Sequence, residues 1–268
     1  MNKDVTITVA NPAGNITIFV KTPIKKDCYQ KVANALLNQT NYNAEQVAFV
    51  LNKKKIGVDA HLDMSGLEFC GNATRSYGLI LAKMGIGKSD ENNNIINIVK
   101  ISGADNPITT ISNPNTGFAK VNMPIPKAIE QYKYDVTLVD LDGIVHLVLD
   151  INNYPVSTFD KIKNEFYEAY NPPAFGIMYY DGTTSFMIPV VYVRDVNTTY
   201  HEGSCGSGTV ALTTSLSKDL KNGTFTYKIK QPDGIIESTV EKKNGAIISV
   251  SIEGIVEIYD EKTVTIKI

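Results

Sequence analysis

The sequence predicts an α/β chain of the α+β kind, made of two strand-rich halves, and three observations carry that expectation. Apolar residues alternate with a period of two over most of the chain. Only four stretches have helical character. A short motif occurs twice, as Phe69-Cys70-Gly71-Asn72-Ala73-Thr74 and as Ser204-Cys205-Gly206-Ser207-Gly208-Thr209, each time running into one of those stretches.

The N-terminus, Met1 to Val9, alternates like a strand and is followed by a second strand at Ile16–Val20. A helix is expected over Tyr29–Gln39, then a strand at Gln46–Leu51, a helix from Arg75 to Met84 behind the first Cys-Gly, and strands at Ile95–Ile101 and Phe118–Met123. Pro124-Ile125-Pro126 reads as an extended connector, because proline fixes φ and removes the residue before it from helical space. Beyond it come strands at Val136–Leu141 and Val145–Leu149, a helix at Phe159–Tyr170 and a strand at Met187–Val193. The second Cys-Gly helix, Val210–Leu220, is followed by strands at Phe225–Ile229, Ile247–Ile252 and Val264–Ile268. The order is not the regular strand–helix alternation of a dinucleotide-binding fold. It divides the chain into domains 1–124 and 125–259, with the last strand, 260–268, returning to the first.

A net charge of −2 gives no electrostatic reason for nucleic acid or an anionic membrane as partner, and no segment reads as a signal peptide or spanning helix. Three cysteines, an odd number, argue against a disulfide scaffold and for reduced thiols in the cytoplasm. The expected partner is a small molecule, and the assembly left open is a monomer or a homodimer.

A cysteine at a helix N-terminus sits among unpaired backbone N–H groups and a partial positive charge, which favour thiolate and bind carboxylate. Two such cysteines, Cys70 and Cys205, can act as base and acid on opposite faces of one carbon, since a thiol near neutral pH has both protonation states in reach. The reaction is then inversion of an amino acid at its α carbon. The amides around Gly71-Asn72 and Gly206-Ser207 are placed to meet the enediolate that forms. Neither a metal nor pyridoxal phosphate is needed, and no second Cys or His lies at zinc-ligand spacing. Buried structural cysteines are the bland alternative, and Cys28, without a partner motif, is read that way.

Asn11-Pro12-Ala13-Gly14-Asn15, Glu45-Gln46-Val47, Met64 to Asn72, Cys205 to Thr209 and Gln231-Pro232-Asp233-Gly234 together resemble the diaminopimelate epimerase superfamily, over nearly the whole chain. Within it the segments His61 to Cys70 and Glu202 to Thr209 are most similar to the cofactor-independent histidine racemases of staphylopine-type metallophore biosynthesis. That resemblance implies two pseudo-symmetric domains, each a curled sheet around a central helix, with the active site in the cleft between them. It places Asn15, Gln46, Asn72 and Ser207 at the reacting end of the substrate, with Gly71 and Gly206 as N–H donors. Asn72 and Ser207 also read as helix N-caps.

The departures narrow the substrate. Diaminopimelate epimerases carry a Glu-Arg-Gly before the second cysteine, whose guanidinium grips the distal carboxylate; here the stretch is Asp195-Val196-Asn197-Thr198-Thr199-Tyr200. Family asparagines that hold the distal head fall on Ile144, Ile177 and His61. A second zwitterion would be buried unpaired at a cost of several kcal/mol, so a single-headed amino acid such as histidine is expected. His61 is a candidate side-chain contact, Glu202 a candidate ligand of the amine, and His201 is near enough in sequence to influence Cys205. Competing readings are a diaminopimelate epimerase, a racemase of another amino acid, an inactive amino-acid binder and a thiol redox sensor.

Overall fold

A computed structural model describes residues 2–39, 41–53, 55–195 and 197–268. The chain divides into two units, residues 1–122 with 253–268, and residues 123–252.

In the first unit, strand Asn2–Asn11 pairs antiparallel with Lys262–Lys267 on one side and Thr17–Val20 on the other. The sheet continues through Gln46–Leu51 (parallel), Ala60–Met64 (antiparallel), Ile95–Ile101 (parallel), Ile108–Asn113 and Phe118–Asn122 (both antiparallel). Period-two alternation sorts its side chains between two helices. Ile18, Val20, Val47 and Phe49 join Tyr29, Val32, Ala33 and Leu36 of α1 (Tyr29–Gln39). Phe19 and Ala48, one residue out of phase, join Ala73, Tyr77 and Ile80 of α2 (Gly71–Lys83). Helix α1 is an ordinary one-faced helix. In α2 every residue from Gly71 to Ala82 is buried.

The second unit orders its strands Ala128–Lys133, Val136–Asp140, Ile144–Asp150, Ala174–Asp181, Phe186–Val193 and Thr198–His201, all antiparallel except the third and fourth. Gly223–Gln231 and Gly234–Lys243 form an antiparallel hairpin beside it. The same parity recurs. Leu147, Leu149, Ile177 and Tyr179 meet Phe159 and Phe166 of α3 (Phe159–Ala169), whereas Val148 and Met178 meet Ala211 and Leu212 of α4 (Gly206–Ser217).

Helix α4 is buried although it is rich in Thr and Ser, because its hydroxyls return to carbonyls four residues back: Thr213 to Thr209, Thr214 to Val210 and Ser217 to Thr213, at 2.7–2.9 Å. Its C-terminal carbonyls are closed by Lys242, whose ammonium donates to Ser217, Lys218 and Leu220 at 2.6–2.9 Å while the residue is only 5% exposed. Lys242→Met keeps the apolar stem and orphans those acceptors. It is expected to cost about 3 kcal/mol, read as a lower urea midpoint with unchanged slope.

The expected helix Tyr29–Gln39 and strands Gln46–Leu51 and Ile95–Ile101 are observed with those limits. Helices α2 and α4 start four residues earlier than expected, and strands Ala60–Met64, Ile108–Asn113, Ala128–Lys133, Ala174–Asp181, Thr198–His201 and Gly234–Lys243 were not anticipated. Of the stretch Asp195 to Tyr200, Val196 lies outside the described residues. Among the described residues no helix is long and apolar enough to cross a membrane.

Candidate functional site

Helices α2 and α4 begin in the same way. Cys70 (φ −131°, ψ 112°) and Cys205 (φ −126°, ψ 113°) are themselves the N-caps, in place of the Asn72 and Ser207 expected from sequence. Each sulfur accepts the backbone N–H three residues on, from Ala73 at 3.4 Å and from Gly208 at 3.2 Å. Each cysteine carbonyl takes the hydroxyl of the threonine four residues on, Thr74 and Thr209, at 2.6 Å. Both helices thus open with the sulfur at the positive end of the helix dipole. The first two N–H groups, on Gly71 and Asn72 and on Gly206 and Ser207, have no acceptor within their helix.

Around Cys70 the structure brings together three of the residues singled out from sequence. Asn15 accepts at Oδ1 from Gln46 and from Asn72 Nδ2 (3.3 Å), and donates from Nδ2 to Glu45 Oε2 at 2.5 Å. Asn72 in turn accepts at Oδ1 from Arg75 Nε at 3.1 Å. Arg75 can only donate, so it sets the direction of every bond: Asn72 must turn its oxygen to the guanidinium, its nitrogen then faces Asn15, and the Asn15 nitrogen faces Glu45. Both amides keep one further N–H. Arg75 also donates from Nη2 to the Pro12 carbonyl at 3.3 Å. Burial pulls its guanidinium down to about 10, with Cys70 acting in the opposite sense, so it is charged at neutral pH.

Around Cys205 the backbone N–H of the cysteine donates to Gln231 Oε1 at 2.7 Å, and Gln231 Nε2 donates to Thr209 Oγ1 at 2.9 Å. Ser207 Oγ lies 3.4 Å from the sulfur and 3.0 Å from His146 Nε2. His146 is fully buried, and burial pulls its imidazole down to about 3, so it is neutral. The Cys205 thiol is pushed well above its ordinary value, first by burial and then by the charge and hydrogen bond of Glu202, against the pull of Ser207 and of the Gly208 N–H. The group that acts on Cys205 from the preceding turn is Glu202; His201 is exposed on its strand.

His61 sits on Ala60–Met64, opposite Leu51 and Lys100, away from the Asn15 network. Burial and then Lys53 and Lys55 hold its imidazole below the ordinary value, and its Nε2 has no hydrogen-bond partner among the described residues. Ile144 is half-buried on the α4 side, whereas Ile177 is fully buried in the cluster under α3. The expectation that Ile177 stands in a substrate pocket is therefore corrected: its parity on the strand turns it away from α4. Cys28 closes a short 3-10 turn and packs against the α1 cluster.

Sequence reasoning singled out neither Arg75 nor His146. A charged residue on a helix is read as solvated, and only the burial of α2 on all sides reverses that. For His146 a signal was present, since it shares parity with Val148 and so faces α4.

A family model described as the histidine racemase CntK N-terminal domain matches residues 4–264. A histidine racemase of Fusobacterium nucleatum subsp. nucleatum is 35% identical over 269 residues, covering 96% of this chain and 95% of that one. A histidine racemase of Staphylococcus aureus is 27% identical over 255 residues, covering 91% of each. Among solved structures, a hydroxyproline epimerase from Agrobacterium vitis with bound trans-4-hydroxy-L-proline aligns with a TM-score of 0.68 at 11% identity, covering 98% of this chain and 92% of that one. A methylitaconate-delta-isomerase aligns with a TM-score of 0.60 at 11% identity, covering 99% and 96%. These likenesses show a racemase/epimerase-like α+β fold.

Proposed function

Because the chain belongs to the histidine racemase family and is an isomerase, we propose that it interconverts L- and D-histidine with Cys70 and Cys205 as paired base and acid, using no cofactor. The observation that carries this reading is the twin N-cap: two thiols with matched backbone angles, each bonded to an N–H of its own helix. Burial and Glu202 favour the protonated form of Cys205, so Cys205 begins as the acid and Cys70 as the base. The Cys70 thiolate takes the α proton and becomes a thiol; the electron pair moves into the substrate carboxylate as an enediolate. The N–H groups of Gly71, Asn72, Gly206 and Ser207 meet that developing charge. Cys205 then gives its proton to the opposite face and ends as a thiolate. Solvent exchange or the reverse reaction resets the pair.

Asn15, Gln46 and Asn72 orient the reacting end, with the remaining N–H of each asparagine assigned to the carboxylate, and Glu202 takes the substrate ammonium. His61, named from sequence as a side-chain contact, is not given that role: on its strand it shares parity with Asp63, which bonds Tyr29 of α1, and not with Leu62, which packs with α2. We place the enzyme in the cytoplasm, where both thiols stay reduced.

The test is incubation of the reduced protein with L-histidine in D2O, followed by proton NMR and chiral chromatography. Loss of the α-proton signal together with D-histidine is expected. A folded, reduced protein that gives neither, while turning over diaminopimelate, overturns the assignment of substrate.

A further inference from the structure

Among the described residues Arg75 is the largest side chain buried without exposure, and no carboxylate lies at ion-pair distance from it. Its Nε and Nη2 are used by Asn72 and Pro12, but Nη1 has no hydrogen-bond partner among the described residues. A buried charge without a counter-ion is costly unless an anion or further acceptors meet it. The bond from Nε to Asn72 carries the guanidinium back to the first turn of α2, the turn that Cys70 caps, and the thiolate charge of Cys70 favours the cation there. The acids on neighbouring segments are Glu45, at the far end of the amide chain, and Glu68, two residues before the thiol.

We propose that Arg75 is the positioning residue of the Cys70 half-site, its buried charge balancing the Cys70 thiolate and its Nε bond fixing the orientation of the Asn72 and Asn15 amides, each with one N–H left to donate. One side chain then does two jobs. It makes the thiol at the α2 N-terminus a base, and it presents donors to an anionic substrate group. The second half-site has no counterpart: at the same offset from Cys205, α4 carries Val210, and the acid Glu202 faces the sulfur instead. The two thiols are therefore unequal by construction. This inference deepens the racemase reading and rests on it for the roles of acid and base.

The test is mass-mapped iodoacetamide labelling of full-length protein across pH, which reads each thiol without needing turnover. In Arg75→Met, labelling of Cys70 is expected to begin at higher pH and to be about tenfold slower at neutral pH, as for a thiolate that has lost a neighbouring cation, while the Cys205 profile stays put. Arg75→Lys, which keeps the charge, is expected to restore most of the rate. An unchanged Cys70 profile in folded Arg75→Met overturns the proposal. If the methionine variant does not fold, Arg75→Lys carries the test alone, and loss of Cys70 labelling at neutral pH in that folded variant overturns it. Failure of the wild-type protein to racemise histidine, with these labelling shifts present in the variants, would sink the substrate assignment and leave the role of Arg75 standing.

Discussion

Cys70→Ser and Cys205→Ser are each expected to lower histidine racemisation by about a thousandfold, the scale on which general acid–base catalysis operates, without unfolding the protein. Serine keeps the N-cap, since its oxygen can accept the same Ala73 or Gly208 N–H. What it loses is an ionisation within reach of neutral pH. A sharper signature separates paired bases from one base working alone. Each single variant retains one thiol and should exchange the α proton of one enantiomer with D2O without inverting it, and the two variants should choose opposite enantiomers. Exchange of both enantiomers by either variant would exclude the paired arrangement. The pH dependence follows from Cys205. A raised value means that its acid form persists where an ordinary thiol is lost, so the alkaline decline of kcat/KM is expected above the ordinary thiol range of about 8.5. It is expected at the same pH in both directions, because the two enantiomers are equal in free energy.

Gly103→Ala is expected to destabilise the first unit by about 3 kcal/mol, combining a strained left-handed residue with overpacking, and to lower activity with it. Gly103 has φ +69°, and a Cβ there would fall 2.2 Å from the Phe69 nitrogen and 2.5 Å from the Glu68 carbonyl carbon. Those are backbone atoms of the loop that delivers Cys70, so no rotamer change can relieve them. The adjacent Ser102 hydroxyl ties the same loop down, accepting from Met64 N at 2.8 Å and donating to Glu68 O at 2.9 Å. Gly245→Ala is the control: φ is +79°, yet nothing lies within 4 Å of the added carbon. Its cost should be about 1 kcal/mol, from conformation alone. Equal losses of Tm in the two variants would show that the close approach to Phe69 does not matter.

How much of this was legible in the sequence depended on whether an element has one buried face or two. Helix α1 and strand Ile95–Ile101 each show one face to solvent, and periodicity located both ends of each. Strand Ala174–Asp181 is buried from Phe175 to Tyr179, between side chains turned to α3 and others turned to α4. With both faces apolar it has no period to detect. Ala60–Met64 is buried at all five positions despite containing His61 and Asp63. The α2 and α4 starts were placed late because Gly-Asn and Gly-Ser look like turns, whereas cysteine caps let the helices begin at the glycine.

The candidate site divides in the same way. Cys70 and Cys205 stood out because the motif repeats. Asn15, Gln46 and Asn72 were singled out through the family resemblance, and their convergence on one amide is a three-dimensional fact that spacing does not contain. Arg75 and the His146–Ser207 contact depend on which side of a buried element a residue faces.

The pairing of Asn2–Ile7 with Lys262–Lys267 has a consequence for how the protein is made. The second unit is one uninterrupted segment, all of it synthesised by residue 252. The opening strand of the first unit is made before the whole of the second unit, but it waits for residues 253–268 to supply its neighbour. Until then Asn2–Ile7 presents an unpaired edge, the kind of surface that recruits strands from other chains. The half that the ribosome makes first is thus the half that is finished last.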